Sequence, residues 1–145
     1  MFDAVKQLRQ RLEDIFDRNN YEYRVYVAGS TKQVVLTTDI TAVIRVLNDN
    51  VTPSAIGFKA VTHTVDAEII LYVIREMPGA TNESYEFCLD KLSEIVDTVI
   101  TDFARNPVLG RYIVTYVDRL RISDKPYKYC YGVIGLSLKR IDAIT

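Results

Sequence analysis

The chain of 145 residues has no tryptophan, a single histidine, two cysteines, 6 glycines and 4 prolines. Each scarcity excludes something. Few glycines and prolines, with 48% hydrophobic and 26% charged residues, exclude collagen-like, low-complexity and disordered chains. With His63 as the only histidine, any Ser-His-Asp or Cys-His arrangement must use that residue. It stands in the run Val61-Thr62-His63-Thr64, read as exposed and beside a turn, so a surface histidine is expected. Cys88 and Cys130 lack CxxC spacing, and no zinc pattern or disulfide framework is indicated. Both are expected to be reduced, buried packing residues of a protein made in a reducing compartment. No apolar run reaches the ~18 residues of a membrane span, and the opening MFDAVKQLRQRLEDIF mixes charges of both signs, unlike a signal peptide. A soluble protein with no membrane partner is the expectation.

The glycines, at positions 29, 57, 79, 110, 132 and 135, form neither GxGxxG nor GxxxxGK[ST], so no phosphate-cradling loop is indicated. Carboxylates are plentiful, among them Asp66, Glu68, Glu86, Asp90, Glu94 and Asp97. The last four lie at helical spacing and read as a solvated helix face rather than a catalytic pair. No catalytic residue, cofactor site or metal site is assigned, and the chain is not expected to be an enzyme.

What is present is patterning. The length suits one domain over 1–145, able to bury roughly 70% of the surface its unfolded chain exposes. Val5, Leu8, Leu12, Ile15 and Phe16 recur at helical spacing opposite Lys6, Arg9, Arg11, Glu13, Asp14 and Asp17, which predicts an amphipathic helix over about 3–18. Tyr23, Val25 and Val27 alternate with polar neighbours and precede a turn at Gly29 to Lys32 and the run Val34-Val35-Leu36, so a β-hairpin is expected over 22–37. Residues 39–48 fit either a short helix behind Asp39 or a strand. Thr52 to Ser54 reads as a loop. Ala55–Thr64 and Ala67–Glu76 are β-rich and are expected to pair as a hairpin turning at Val65 and Asp66. The run Ile69 to Ile74 is apolar on both faces and predicts a central strand.

After Met77-Pro78-Gly79, a second helix is predicted over about 82–104. Thr81 or Asn82 caps it, Glu83 and Glu86 favour its positive end, and Cys88, Leu92, Ile95, Val96, Val99, Ile100 and Phe103 form its apolar stripe. Arg105-Asn106-Pro107 ends it. Arg111–Ile122 and Lys128–Ile141 close the chain as a hairpin over 111–141. The class is therefore α+β, a mainly antiparallel sheet with two amphipathic helices.

Charge is nearly balanced overall but uneven along the chain. Residues 39–104 hold 11 acidic against 4 basic residues, and residues 105–140 hold 8 basic against 2 acidic. Opposite potentials of this kind steer and orient association. In the last hairpin Arg111, Arg119, Arg121, Lys125 and Lys128 are interleaved with Tyr112, Tyr116, Tyr127, Tyr129 and Tyr131. Such a mixture suits a protein interface, where Tyr and Arg are enriched, and also a single-stranded nucleic-acid platform. A small binding or regulatory module using this hairpin for nucleic acid or a protein partner is thus one reading.

A second reading comes from the order of elements. The first helix, a hairpin, the strand pair ending DAEIILYVIREM, the helix NESYEFCLDKLSEIVDTVITDF and the final hairpin RYIVTYVDRLRISDKPYKYCYGVIGLSLKRI together resemble the tail terminator proteins of tailed bacteriophages. The resemblance covers most of the chain and rests on layout. It implies a virion protein made in the host cytoplasm that forms a ring, usually of six copies, at the tail neck. Such a ring caps the tail tube, meets the head-tail connector and encloses a channel where DNA is touched without sequence preference. The expected ring contact joins Arg111, Arg119, Arg121, Lys125, Lys128, Tyr112, Tyr116, Tyr129 and Tyr131 of one copy to Glu86, Asp90, Glu94 and Asp97 of the next.

Overall fold

The computed structural model describes residues 2–28, 40–53, 60–74, 82–122 and 129–143. The first helix, α1, spans Phe2–Arg18. Ala4, Leu8, Leu12, Ile15 and Phe16 are its buried stripe, so the 3.6-residue periodicity translates directly into one face against the core. Its end is specified locally. Asn20 adopts φ 57°, the Tyr21 amide donates to the Phe16 carbonyl and the Asn20 amide to that of Asp17. This is a Schellman closure with asparagine at the left-handed position that usually takes glycine. The closure delivers the chain into β1 (Tyr23–Val27). There the Tyr23 hydroxyl donates to Asp17 at 2.8 Å, and its ring lies 5.3 Å from that of Phe16.

Among the described residues five further strands follow: β2 (Ile40–Pro53), β3 (Ala60–Ile74), β4 (Val108–Leu109), β5 (Tyr112–Ile122) and β6 (Tyr129–Ala143). They form one six-stranded sheet in the order β1-β2-β3-β6-β5-β4. Only β1 and β2 are parallel; the other pairs are antiparallel. The α+β class with two helices is therefore as the sequence predicts, and the terminal hairpin is β5 with β6.

One open alternative is resolved, one expectation is corrected and one falls partly outside the described residues. Residues 40–48 are strand, so the β-branched composition of Ile40, Thr41, Val43, Ile44 and Val46 prevails over their helix-compatible spacing. Val65 and Asp66 form no turn: β3 runs straight through them, and the hairpin is β2 with β3, Ile40 opposite Val73 and Pro53 opposite Val61. Asp66 is accommodated because its carboxylate accepts the Ser137 hydroxyl at 2.7 Å. β1 is paired in parallel with β2, Tyr23 opposite Ile40, rather than being seen in a hairpin; the second limb expected at Val34 to Leu36 lies outside the described residues. So do Ser54, Ala55 to Lys59, Arg75 and Glu76.

The second helix, α2, spans Asn82–Arg105. Cys88, Leu92, Ile95, Val96, Val99 and Phe103 are buried beneath it, against the alternate residues of β3 and β6, Ile69, Leu71, Val73, Ile134, Leu136 and Leu138. Close approach is permitted at Gly132, where an added Cβ would already sit 3.4 Å from Val96 and 3.6 Å from Leu92. The cysteine expectation is overturned next to it. Cys88 of α2 and Cys130 of β6 are joined by a disulfide, 42 residues apart in sequence. Neither residue carries spacing that announces a bridge; the sheet order brings them together. Burial was read correctly and redox state was not.

Candidate interaction surface

The terminal hairpin enters through a tight turn. Leu109 pairs with Tyr112, leaving Gly110 and Arg111 as a two-residue loop in which Gly110 has φ 62° and Arg111 does not have positive φ. That is the type II′ pattern, which takes glycine first and matches strand twist. Tyr112 follows and points inward, 1% exposed. The expectation that it belongs to an interface is corrected: as the direct cross-strand partner of buried Leu109, it shares that residue's helix-covered face of the sheet. Burial pushes its hydroxyl above the ordinary tyrosine value, opposed by the nearby Arg140 guanidinium.

Around Tyr112, residues of β3, β5 and β6, the β4–β5 loop and α1 build a polar knot. Arg140 stacks over the Tyr112 ring at 5.0 Å, donates to the Tyr112 hydroxyl at 3.2 Å and to Asp142 at 2.8 Å. Asp142 also accepts from Arg111 at 2.9 Å and lies 3.2 Å from His63 Nε2, while Asp3 of α1 is 4.0 Å from Arg140. His63 is thus not the exposed histidine beside a turn expected from sequence. It sits inside β3, opposite Val51 and Arg140, and mostly covered. The reach of Asp142 across from β6, invisible in local sequence, decides its environment. Two arginines and a histidine around one carboxylate hold the sheet ends together under the start of α1.

The opposite face of the hairpin is different in kind. Val108, Ile113, Tyr116 and Ile141 are exposed there. Val108 is directly opposite Ile113, and Ile113 opposite Lys139. Ile141 is two residues beyond Lys139 on the same face, so the four apolar side chains surround the β4–β5–β6 corner with Lys139 among them. A bulge between Val114 and Tyr116 keeps Tyr116 on this side, opposite Ser137. Its hydroxyl donates to Asp118 at 2.9 Å, and that bond raises its own pKa. Tyr131 is only partly exposed, its ring 5.9 Å from that of Tyr72. Arg119 and Arg121 occupy backbone positions opposite Ile134 and Val133 and Tyr129 one opposite Ile74. The side chains of these three, and Lys125, Tyr127 and Lys128 altogether, lie outside the described residues.

On the other side of the molecule α2 presents its outer face. Glu86, Asp90, Glu94 and Asp97 are exposed along it, with Phe87 beside Glu86 and 44% exposed. Toward the C-terminal end this surface is tied to α1. Asp102 accepts from Arg11 at 2.6 Å and Arg18 at 2.5 Å, and Arg11 also donates to the carbonyls of Asp102, Asn106 and Val108. Asp102 and Asn106 lie at the C-terminal end of α2, where the helix dipole favours a cation, and the Asp102 carbonyl also accepts the Asn106 amide. The Arg11 guanidinium further lies over the Phe103 ring, 5.2 Å from its centre. Nothing in the opening residues marks Arg11 as the link between helices; it reads as one of several polar-face charges.

Among the described residues no three His, Cys, Asp or Glu side chains converge to hold a metal ion, and no helix is long and apolar enough to cross a membrane. No family model matches the chain, and no curated protein matches it either.

Proposed function

We propose that the chain is a ring-forming structural protein of a tailed-phage neck, a tail terminator that caps the tail tube and meets the head-tail connector. The observation that carries this reading is the placement of two surfaces of unlike character on opposite sides of one small domain. The acidic outer face of α2 lies on the helix side, and the exposed corner of the terminal hairpin lies on the side away from the helices. One copy can engage two neighbours at once through such surfaces, which is the requirement for a heterologous contact that closes into a ring. The element order supports the same reading, since a first helix, a long strand pair β2–β3, the long helix α2 and the long hairpin β5–β6 follow each other as in the phage layout.

The ring has itself, the tail tube and the connector as partners, and duplex DNA passes through its channel. The test is native mass over a range of concentrations with electron microscopy of the largest species. Closed rings, six copies around a hole wide enough for duplex DNA, are the expected result. A chain that stays monomeric at every concentration and does not bind purified tail tubes would overturn the reading.

A further inference from the structure

We infer that Phe87 and the acidic residues around it on α2 of one copy dock onto the Val108, Ile113 and Ile141 corner of a second copy, with Lys139 facing Glu86 and Asp90. This deepens the ring reading and rests on it. Three observations select this pairing over the contact expected from sequence.

The first is apolar. Four of the exposed large hydrophobic side chains among the described residues gather at one sheet corner, on the face away from the helices: Val108, Ile113, Tyr116 and Ile141, the last 63% exposed. Scattered single apolar residues are ordinary on a protein surface, but a cluster is the usual mark of an interface. Phe87 is the exposed aromatic on the described part of α2, a rigid knob of the kind that anchors interfaces.

The second is charge. The corner carries Lys139 at its centre, while Arg111, in the adjoining β4–β5 loop, is bonded to Asp142 in the knot of the other face. Asp118 lies at the far margin beyond Tyr116. Around Phe87 the exposed charges are Glu86, Asp90 and Glu94, with Lys91 partly covered beside them. Opposite signs therefore meet when knob and corner meet, whereas two corners or two helix faces would oppose like charges.

The third is position. Knob and corner lie on opposite sides of the domain, so neither blocks the other and the contact is head to tail. The corner is also at a sheet edge where β4 pairs with only two residues of β5, which leaves room for a neighbouring copy to approach.

The experiment places a photo-crosslinking amino acid at Phe87 and mixes isotopically light and heavy protein, so that crosslinks between copies are distinguished from those within one. Crosslinks from 87 to residues 108–116 or 137–142 of another copy are expected. In parallel, Ile113→Asp with Ile141→Asp should weaken self-association by about a hundredfold. Leu47→Asp, equally exposed but on β2, should leave it unchanged. Because Ile113 and Ile141 are exposed the melt should not move; should the double variant misfold, Lys139→Glu takes its place and Asp90→Lys should restore association to it. If the wild-type protein assembles but the corner variants assemble equally well, or position 87 crosslinks elsewhere, this contact is overturned while the ring reading stands. If the wild type never self-associates, this contact is overturned, and the ring reading falls with it when the chain also fails to bind purified tail tubes.

Discussion

At the scale of single residues, Asp102 decides how the two helices are held. Its side chain is 17% exposed and that of Arg11 12%. Burial alone would push the Asp102 carboxyl up, but the hydrogen bonds from Arg11 and Arg18 outweigh burial and hold it below the ordinary carboxylate value. A depressed folded-state value means that this carboxylate stabilises the fold above its unfolded pKa, near 3.9, and that the contribution is lost as pH falls through the folded value. Asp102→Asn should accordingly cost about 2–3 kcal/mol at neutral pH, because it leaves a mostly buried guanidinium without its counter-ion. The difference from wild type should shrink as the pH drops below about 4. Urea titrations at several pH values measure both, and a gap independent of pH would show that the charge of Asp102 is not what stabilises. None of this was legible in the sequence, where Asp102 is one more polar position on α2 and Arg11 one more on α1. The predicted end of α1 near residue 18 was closer to legible: Asn20 closes the helix through a left-handed conformation that asparagine tolerates better than most residues.

At the scale of elements, legibility followed periodicity. α1 and α2 each carry a sustained helical period, and they and the β5–β6 hairpin, whose β5 limb is interrupted by bulges, form over nearly the predicted residues. The β2–β3 pair was misread because its signals conflict. Ile40, Val43, Ile44 and Leu47 have helical spacing in a strand, and Asp66 is a turn-forming residue at mid-strand whose partner, Ser137, is 71 residues away. The parallel pairing of β1 with β2 depends on a crossover, which no local pattern reveals. The same non-locality hid the bridge between Cys88 and Cys130, since it requires β6 to lie beneath the start of α2. That bridge closes a long loop between a helix and the centre of the sheet, and its loss should cost about 2–4 kcal/mol. Thermal melts of the wild type with and without reductant, compared with Cys88→Ala/Cys130→Ala, check this. Reductant should lower the wild-type melting temperature and leave the double variant unmoved; a wild type indifferent to reductant would mean that the bridge adds no stability.

At the scale of the whole molecule, the fold sorts its charged and aromatic residues in a way the sequence showed only in outline. The contrast between an acidic middle and a basic C-terminal hairpin was visible in the counts, and the exposed Glu86, Asp90, Glu94 and Asp97 give its acidic half a definite surface. Which side of the hairpin faces outward was not visible, because the loop at Gly110 and the bulge after Val114 set the phase: Tyr112 goes into the core and Ile113 and Tyr116 go to the outside. If knob and corner are complementary halves of one contact, they can be inactivated separately and then recombined. A variant with Ile113→Asp and Ile141→Asp keeps its knob, and one with Phe87→Asp and Asp90→Lys keeps its corner. Neither should self-associate alone, whereas an equal mixture should yield heterodimers joined by the one intact contact and nothing larger, since each dimer ends on two disabled surfaces. A corner-to-corner contact predicts otherwise: the variant with an intact corner would dimerise by itself, and mixing would add nothing. Native mass spectrometry of the two variants, separately and mixed, separates these outcomes, because only a heterologous contact makes two inactive proteins associate in pairs and then stop.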